Sequence, residues 1–404
     1  MLCGIILYYI LEASVSSGTE GALYGVISHI IQPLLIFAML TLSFLKVSLH
    51  DLKPHRWHVV VLMLQALIFA LCAILALMAG NAGFPRLKII LEGAMLCFIC
   101  PTATAGAVIV QKLGGSLSGI VTYIVVCNTM VAVVAPAFLT LVEPHAGMDF
   151  MSELFLIMGK VFPLLLCPLF LAVMIQHYAP RLRDRLLAIP DMAFYLWLVA
   201  LALAITVTVR TIANSDIAPQ TLAGLAAVSL ASCIMQFWMG RHTGMRLVQP
   251  TKAPDEWKRH KYDPATYTTA KERSAITAGQ AMGQKNTVFA IWMGLMFLDP
   301  VTSVTGGFYS IWHNIVNSWQ LYKKNKAWEA DSRTARQQQQ RKRTATAEKQ
   351  GGTAEKIDSN RRGKEEQRQR KRTAREGRSD SMRNGRRQPG QSSCHNVKAS
   401  IDTV

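Results

Sequence analysis

Four consecutive polar residues interrupt an apolar segment that is long enough to cross a membrane. They are Gln284, Lys285, Asn286 and Thr287, and they follow directly after Gly283. Side chains of these types hold ions and anionic ligands through charge and hydrogen bonds. A charge at membrane depth is energetically costly, so it implies a cavity, a partner or a function. The cluster therefore predicts a binding site inside the membrane.

A second apolar segment is interrupted by Pro101, with Thr102, Thr104 and Gly106 close behind it. An interrupted membrane helix frees backbone carbonyls and half-helix ends, from which secondary transporters build ion and substrate sites. The two threonine hydroxyls either bind an anion beside a half-helix N-terminus or satisfy the freed carbonyls. Pro101 alone is equally compatible with a structural kink. Together the two interruptions, five spans apart, predict a repeat whose breaks cross at one site.

Membrane-spanning helices are needed to position these residues, and the composition favours them. Hydrophobic residues make up 51% of the chain and charged residues only 17%. About 20 apolar residues cross a bilayer core, and this length predicts ten spans. The predicted spans are residues 2–14, 22–46, 57–80, 87–111, 117–142, 152–176, 188–210, 219–240, 275–298 and 300–321. The sequence therefore predicts an all-α integral membrane domain over residues 1–322.

Basic loop residues predict the orientation, because Lys and Arg concentrate on the cytoplasmic side of a membrane. Placing both termini in the cytoplasm leaves many basic residues in the inner loops and few in the outer loops. The expected location is a plasma membrane of the bacterial inner-membrane type, with membrane lipids as partners. Glu92 lies near the expected outer boundary, which favours a solvated position over a proton site.

Two polar segments lie outside the predicted spans. Residues 241–273 form a predicted basic cytoplasmic loop, and residues 323–404 form a predicted disordered basic cytoplasmic tail. The whole chain has a formal net charge of +18, and the tail holds almost nothing apolar to bury. Such segments attract nucleic acid and anionic lipid non-specifically. No folded nucleic-acid reader accompanies the tail, so specific nucleic-acid binding is not expected.

Enzyme chemistry is not expected from this sequence. It contains no paired carboxylates, no nucleophile with a neighbouring His and no phosphate-binding loop. Most of the eight cysteines lie within apolar segments, and no zinc-type Cys/His spacing is present. We therefore expect no cofactor apart from a coupling ion, Na⁺ or H⁺, and no obligate protein partner.

Several short motifs share their order and spacing with a known transporter family. The segment Cys100-Pro101-Thr102-Ala103-Thr104-Ala105-Gly106-Ala107 is similar to a broken-helix pattern Cys-Pro-Gly-Gly-x-x-Ser-Asn. Further matches are Gln65, Gly115, Leu117-Ser118, Thr122, Gln284-Lys285-Asn286-Thr287 and Trp312-His313-Asn314. In these motifs the sequence resembles the bile acid:sodium symporter family, from about residue 22 to residue 325.

The resemblance implies ten helices in inverted five-helix repeats, with two broken helices, the fourth and the ninth, that cross. It implies panel helices near residues 2–46 and 152–210 and core helices near 57–142 and 219–321. It also implies alternating-access transport of a small organic anion, bile-acid-like or another carboxylate, coupled to sodium. The candidate substrate and ion contacts are Gln65, Thr102, Thr104, Ser118, Thr122, Asn128, Gln284, Lys285, Asn286 and Thr287, with helix breaks at Pro101, Gly106 and Gly283.

Several sodium ligands of that family are missing here. The Ser and Asn expected after the first break fall on Gly106 and Ala107, and the acidic residue expected before the second falls on Ala281 or Gln280. Lys285 stands where a neutral Gln is expected. Losing a carboxylate and gaining an ammonium argues against a standard sodium pair. One weakened sodium site stays open, made of Gln65, Ser118, Thr122 and Asn286.

Our hypothesis is that the Lys285 ammonium takes the position and charge of a missing sodium ion and attracts the substrate anion. A buried lysine can also lose its proton, which would permit proton coupling. The structural alternative is that Lys285 snorkels to the surface or forms a structural pair. The alternatives for function are a sodium-independent uniporter or exchanger, a proton-coupled carrier, or a sensor that kept the fold without coupled transport.

Overall fold

The structure, a computed structural model, describes residues 2–14, 20–47, 52–144, 147–189, 192–247 and 270–384. Within these ranges the chain is all-helical, with 88% helix and no β-strand. The helices are α1 (Leu2–Ser14), α2 (Glu20–Val26), α3 (Gln32–Phe44), α4 (Arg56–Asn81), α5 (Pro85–Ile99), α6 (Ala105–Leu113), α7 (Leu117–Val142), α8 (Phe150–Tyr178), α9 (Pro180–Ala188), α10 (Met192–Ala213), α11 (Pro219–Arg246), α12 (Ala270–Gly283), α13 (Thr287–Phe297) and α14 (Val304–Asn384). A π-helical turn, Ile27–Ile31, joins α2 to α3, and a 3-10 turn, Pro300–Ser303, precedes α14.

Six helices in the described ranges are long and apolar enough to cross a membrane. The first is Gly21–Phe44, which runs without a break through α2, the π-helical turn and α3. The others are Arg56–Asn81, Leu117–Val142, Phe150–Tyr178, Met192–Ala213 and Pro219–Arg246. Two shorter helices, Cys3–Ser14 and Thr287–Phe297, are also apolar. The chain therefore has the helix content and apolarity of an all-α, multi-pass membrane protein.

Helix α4 shows how these apolar helices are oriented. Large apolar side chains such as Met63 and Leu67 are more than 60% exposed, as expected for a surface that faces lipid. The opposite side buries small residues and one amide, including Ala73, Ala76 and Gln65. Small buried residues let membrane helices approach closely, whereas the buried amide must find a polar partner inside. The buried amide of α4 therefore points into the protein.

Two predicted spans are each divided into two helices. The predicted span 87–111 forms α5 and α6, with residues 100–104 between them, and the predicted span 275–298 forms α12 and α13, with residues 284–286 between them. Proline has no backbone N–H and restricts the residue before it, so α5 ends ahead of Pro101. The sequence thus locates both interruptions to within a few residues.

Helix α11 packs against α5 and against α12, so it contacts one half of each divided helix. Two glycines of α11, Gly240 and Gly244, permit the close approach to α12. A Cβ atom at Gly244 would lie 2.8 Å from the Cβ of Ala278, and one at Gly240 would lie 3.0 Å from the Cα of Gly279. Helix α12 is therefore positioned by backbone-to-backbone contact with α11.

The C-terminal segment differs from the predicted disordered tail, because α14 continues as helix through Asn384. Low hydrophobicity removes tertiary packing, but Ala, Glu, Lys, Gln and Arg still favour helix. Pairs at i,i+4 add support, with Arg333 3.9 Å from Glu329 and Arg362 3.1 Å from Asp358. Residues 385–404 lie outside the described residues. In the predicted loop 241–273, the two ends are helical and residues 248–269 lie outside the described residues.

Candidate functional site

The two interruptions lie against each other and are joined by backbone hydrogen bonds. The amide of Asn286 donates to the carbonyl of Pro101 at 2.8 Å, and the amide of Ala103 donates to the carbonyl of Gln284 at 2.8 Å. Thr102 and Lys285 thereby face each other as an isolated antiparallel bridge. The two bonds fix the mutual position of the interruptions, which we call the crossing, residues 100–104 and 284–286.

Helix interruption leaves carbonyl groups without helical partners, and such groups must be satisfied when buried. Side chains from neighbouring helices satisfy several of them. Tyr309 donates to the carbonyl of Gly283 at 2.8 Å, and Gln236 donates to the carbonyl of Cys97 at 3.2 Å. The hydroxyl of Thr102 donates to the carbonyl of Ala281. These hydrogen bonds hold the crossing in place as a polar centre inside an apolar protein.

Lys285 is the charged group of this centre. Only 1% of its surface is exposed, which excludes snorkelling to the surface. Its Nζ donates to the carbonyl of Phe98 at 3.3 Å, at the C-terminal end of α5, where the helix dipole favours a cation. Among the described residues, no carboxylate forms an ion pair with Lys285.

A chain of amides runs from the crossing to α14. Asn317 donates to Gln284 at 2.7 Å, and Gln280 donates to Asn317 at 3.1 Å and to Gln320 at 2.9 Å. Gln280 is one of the two positions where the family resemblance places an acidic residue. A neutral amide network occupies that place here, so the charge of Lys285 is not balanced by an acid at this point.

Sequence reasoning missed Asn317 and Gln320. A signal was present, because polar residues at 310, 313, 317 and 320 lie three or four positions apart on one face of α14. Ser310, His313 and Asn317 are all buried. The neighbouring Trp312 donates from its ring nitrogen to Ser229 at 3.1 Å and so ties α14 to α11.

The predicted residues of the crossing are all close to it. Gly106 is the second residue of α6, and a Cβ there would lie 3.0 Å from the Gln284 side chain, so glycine permits this close packing. Thr104 is the N-cap residue of α6 but makes no side-chain capping bond. Thr287 begins α13, and its buried hydroxyl bonds to no described residue. Pro101 lies within the first interruption, and Gly283 is the last residue of α12, directly before the second.

The four residues of the proposed weakened sodium site have other described contacts. Gln65 accepts from Tyr123 at 2.9 Å, and the Thr122 hydroxyl donates to the backbone carbonyl of Ser118 at 2.8 Å. Asn286 accepts the amide of Phe289 at 3.2 Å as the N-cap of α13. In the described part of the chain, no hydrogen bond joins these four side chains. Asn128 is the remaining candidate substrate or ion contact, and its buried side chain bonds to no described residue.

Replacing Asn286 with alanine removes the cap of α13. We expect the free energy of unfolding to fall by about 1 kcal/mol, the typical effect of losing such a cap. Thermal melting of the purified protein in detergent measures this change. Thr104→Ala is the matched control, because Thr104 occupies the same position in α6 without a capping bond. An equal loss of stability in both variants would contradict the role of Asn286 as the N-cap of α13.

No family model matches the chain, and no curated protein matches it.

Proposed function

We propose that the chain is a secondary transporter of a small organic anion, whose substrate binds at the crossing during alternating access. The observation that supports this most is a buried ammonium, Lys285, without a described carboxylate partner, at the meeting point of two broken helices. Broken membrane helices that meet in this way are the usual site of substrate and ion binding in secondary transporters. A buried unpaired charge in a membrane marks a functional site by default.

The proposal includes the ten-span, inverted-repeat architecture implied by the resemblance to the bile acid:sodium symporter family. The six long apolar helices, the two divided helices and the first and last apolar segments add up to that number. The proposed orientation places both termini in the cytoplasm, in a bacterial inner membrane.

We further propose that transport does not require sodium. The Lys285 ammonium lies at the C-terminal end of α5, where a half-helix end would otherwise hold a cation. An ammonium there repels sodium and supplies the positive charge that a carboxylate substrate needs. In the weakened sodium site, the side chains of Gln65, Thr122 and Asn286 form hydrogen bonds to other groups of the protein, which supports transport without sodium.

A thermal-shift screen tests binding of the anion. The protein in detergent is melted with acetate, pyruvate or cholate as the sodium salt and as the potassium salt, with matched chlorides as controls. A ligand that binds only the folded state raises the melting temperature, by an amount equivalent to about 2.7 kcal/mol at one hundred times its Kd. We expect at least one carboxylate to raise the melting temperature equally in both salts. Stabilisation that appears only with sodium would contradict the proposal.

A further inference from the structure

A second charged cluster lies away from the crossing, at the N-terminal part of α5. The Nζ of Lys88 donates to Oε1 of Glu143, which follows the end of α7, and lies 3.5 Å from Oε1 of Glu92. The Glu92 side chain has 0% of its surface exposed, whereas that of Glu143 is 31% exposed. The sequence favoured a solvated Glu92, and this expectation was wrong because the surrounding helices cover it.

The second oxygen of Glu92 also has a partner. The hydroxyl of Thr302 donates to Oε2 of Glu92 at 3.0 Å, from the 3-10 turn between α13 and α14. The carboxyl groups of Glu92 and Glu143 each place an oxygen within 3.5 Å of the same Lys88 Nζ, so the two groups lie near each other. Two carboxylates cannot donate to each other, so a bond between them needs one proton.

The charges of the cluster also predict one bound proton. Two carboxylates and the Lys88 ammonium sum to one negative charge, and one added proton makes the cluster neutral. Burying a net charge is costly, and a pair of like charges at short distance favours protonation of one member.

The elements packed against α5 bring no further charge to Glu92. Helix α4 contributes Gly80, which lies against the aliphatic part of Lys88, and α11 contributes Gly224 and Leu225, which lie against Ile90 and Gly93. Asp299, near the same turn as Thr302, accepts the amide of Val301 at 2.9 Å. Among the described residues, Lys88 is therefore the ion-pair partner of Glu92, and Glu143 shares that partner.

We propose that Glu92 and Glu143 form a carboxyl–carboxylate pair that binds one proton and that this proton is the coupling ion of transport. The proton binds to one carboxylate oxygen, converting Glu92–COO⁻ to Glu92–COOH, which then donates to Glu143. The assignment of a coupling role rests on the proposed transport function, whereas the proton-binding pair does not.

The position of the pair suits a coupling role. Glu92 belongs to the first divided helix, and Thr302 lies in the turn directly after α13, the second half of the other divided helix. Glu143 follows the end of α7. Adding or removing the proton changes the attraction among these three elements, and any motion of the divided helices relative to α7 must therefore change the affinity of the pair for a proton.

Infrared spectroscopy of the full-length protein in lipid vesicles tests the pair. We expect the wild type at neutral pH to show the C=O stretch of a protonated carboxyl group, and Glu92→Gln to lose it. Glu143→Gln, at the more exposed partner, is a second variant in case Glu92→Gln fails to fold, and it should lose the same band. Asp184→Asn is the control, because Asp184 is 65% exposed and pairs with Arg183. A band that survives both glutamine substitutions would overturn the proposal.

The coupling role is tested in the same vesicles with whichever of labelled acetate, pyruvate and cholate the wild type exchanges, and with a pH-sensitive dye enclosed in the lumen. We expect a gradient of that anion to move protons in the wild type beyond the movement in protein-free vesicles. Glu143→Gln should lose this movement, while Asp184→Asn behaves as the wild type. Proton movement that persists in Glu143→Gln would overturn the coupling role. If wild-type vesicles exchange none of acetate, pyruvate and cholate, the proposed transport function is contradicted. The infrared result would still decide whether Glu92 and Glu143 share a proton.

Discussion

Lys285→Ala is expected to reduce exchange of the organic anion across vesicle membranes about tenfold or more, equivalent to about 1.4 kcal/mol or more of lost binding. The ammonium supplies the positive charge for the anion, and it also satisfies the carbonyl of Phe98. Lys285→Gln separates these two roles, because an amide still donates a hydrogen bond but carries no charge. We expect Lys285→Gln to lose exchange as well, whereas Lys285→Arg retains part of it.

Lys160 provides the matched control for these variants. It is also a lysine within an apolar helix, α8, but its side chain is exposed and its Nζ lies over the ring of Phe297 at 5.7 Å. Lys160→Gln should exchange the anion at the wild-type rate. Wild-type exchange in both Lys285→Ala and Lys285→Gln would contradict the role given to Lys285.

Gly240→Ala is expected to destabilise the protein by about 1–3 kcal/mol, the usual effect of overpacking a filled site. The added Cβ would meet the carbonyl oxygen of Ala278 and lie 3.0 Å from the Cα of Gly279. Both neighbours are backbone atoms of α12, so no side-chain rotation relieves the contact. Because α12 carries one half of the crossing, we expect anion binding to fall together with the melting temperature.

The control substitution is expected not to lower the melting temperature. Gly25 also lies within a helix, but a Cβ there would meet nothing within 4 Å. Alanine is a better helix former than glycine by about 1 kcal/mol, so Gly25→Ala should keep or raise the melting temperature. A similar fall of the melting temperature in both variants would show that α11 and α12 do not pack through Gly240.

The interruptions were predictable because several residues at each point disfavour a continuous apolar helix. Pro101 is followed by two threonines and a glycine, and a run of Gln, Lys and Asn at membrane depth cannot continue an apolar helix facing lipid. Proline alone does not end a helix here, because Pro136, Pro163 and Pro168 lie inside α7 and α8. The tail was less predictable, because low hydrophobicity excludes a packed core without deciding between an isolated helix and disorder. For the described residues, α14 extends to Asn384.

The partners of the site residues were not predictable, because they are distant in sequence. Thr302 lies 210 positions from Glu92, and the partner carbonyl of Thr102 lies 179 positions away. Both interpretations of Thr102 were consistent with the sequence, and the structure shows its hydroxyl satisfying a freed carbonyl. The burial of Glu92 likewise depends on helices that only the fold brings together.

Counterflow of a labelled carboxylate in vesicles containing the wild-type protein tests the central claim most directly. Vesicles loaded with unlabelled acetate, pyruvate or cholate are diluted into the labelled anion, once in sodium buffer and once in potassium buffer. The proposed role of Lys285 predicts transient accumulation of at least one labelled anion, to the same extent in both buffers. Accumulation that requires sodium, or none of any anion in either buffer, would contradict it.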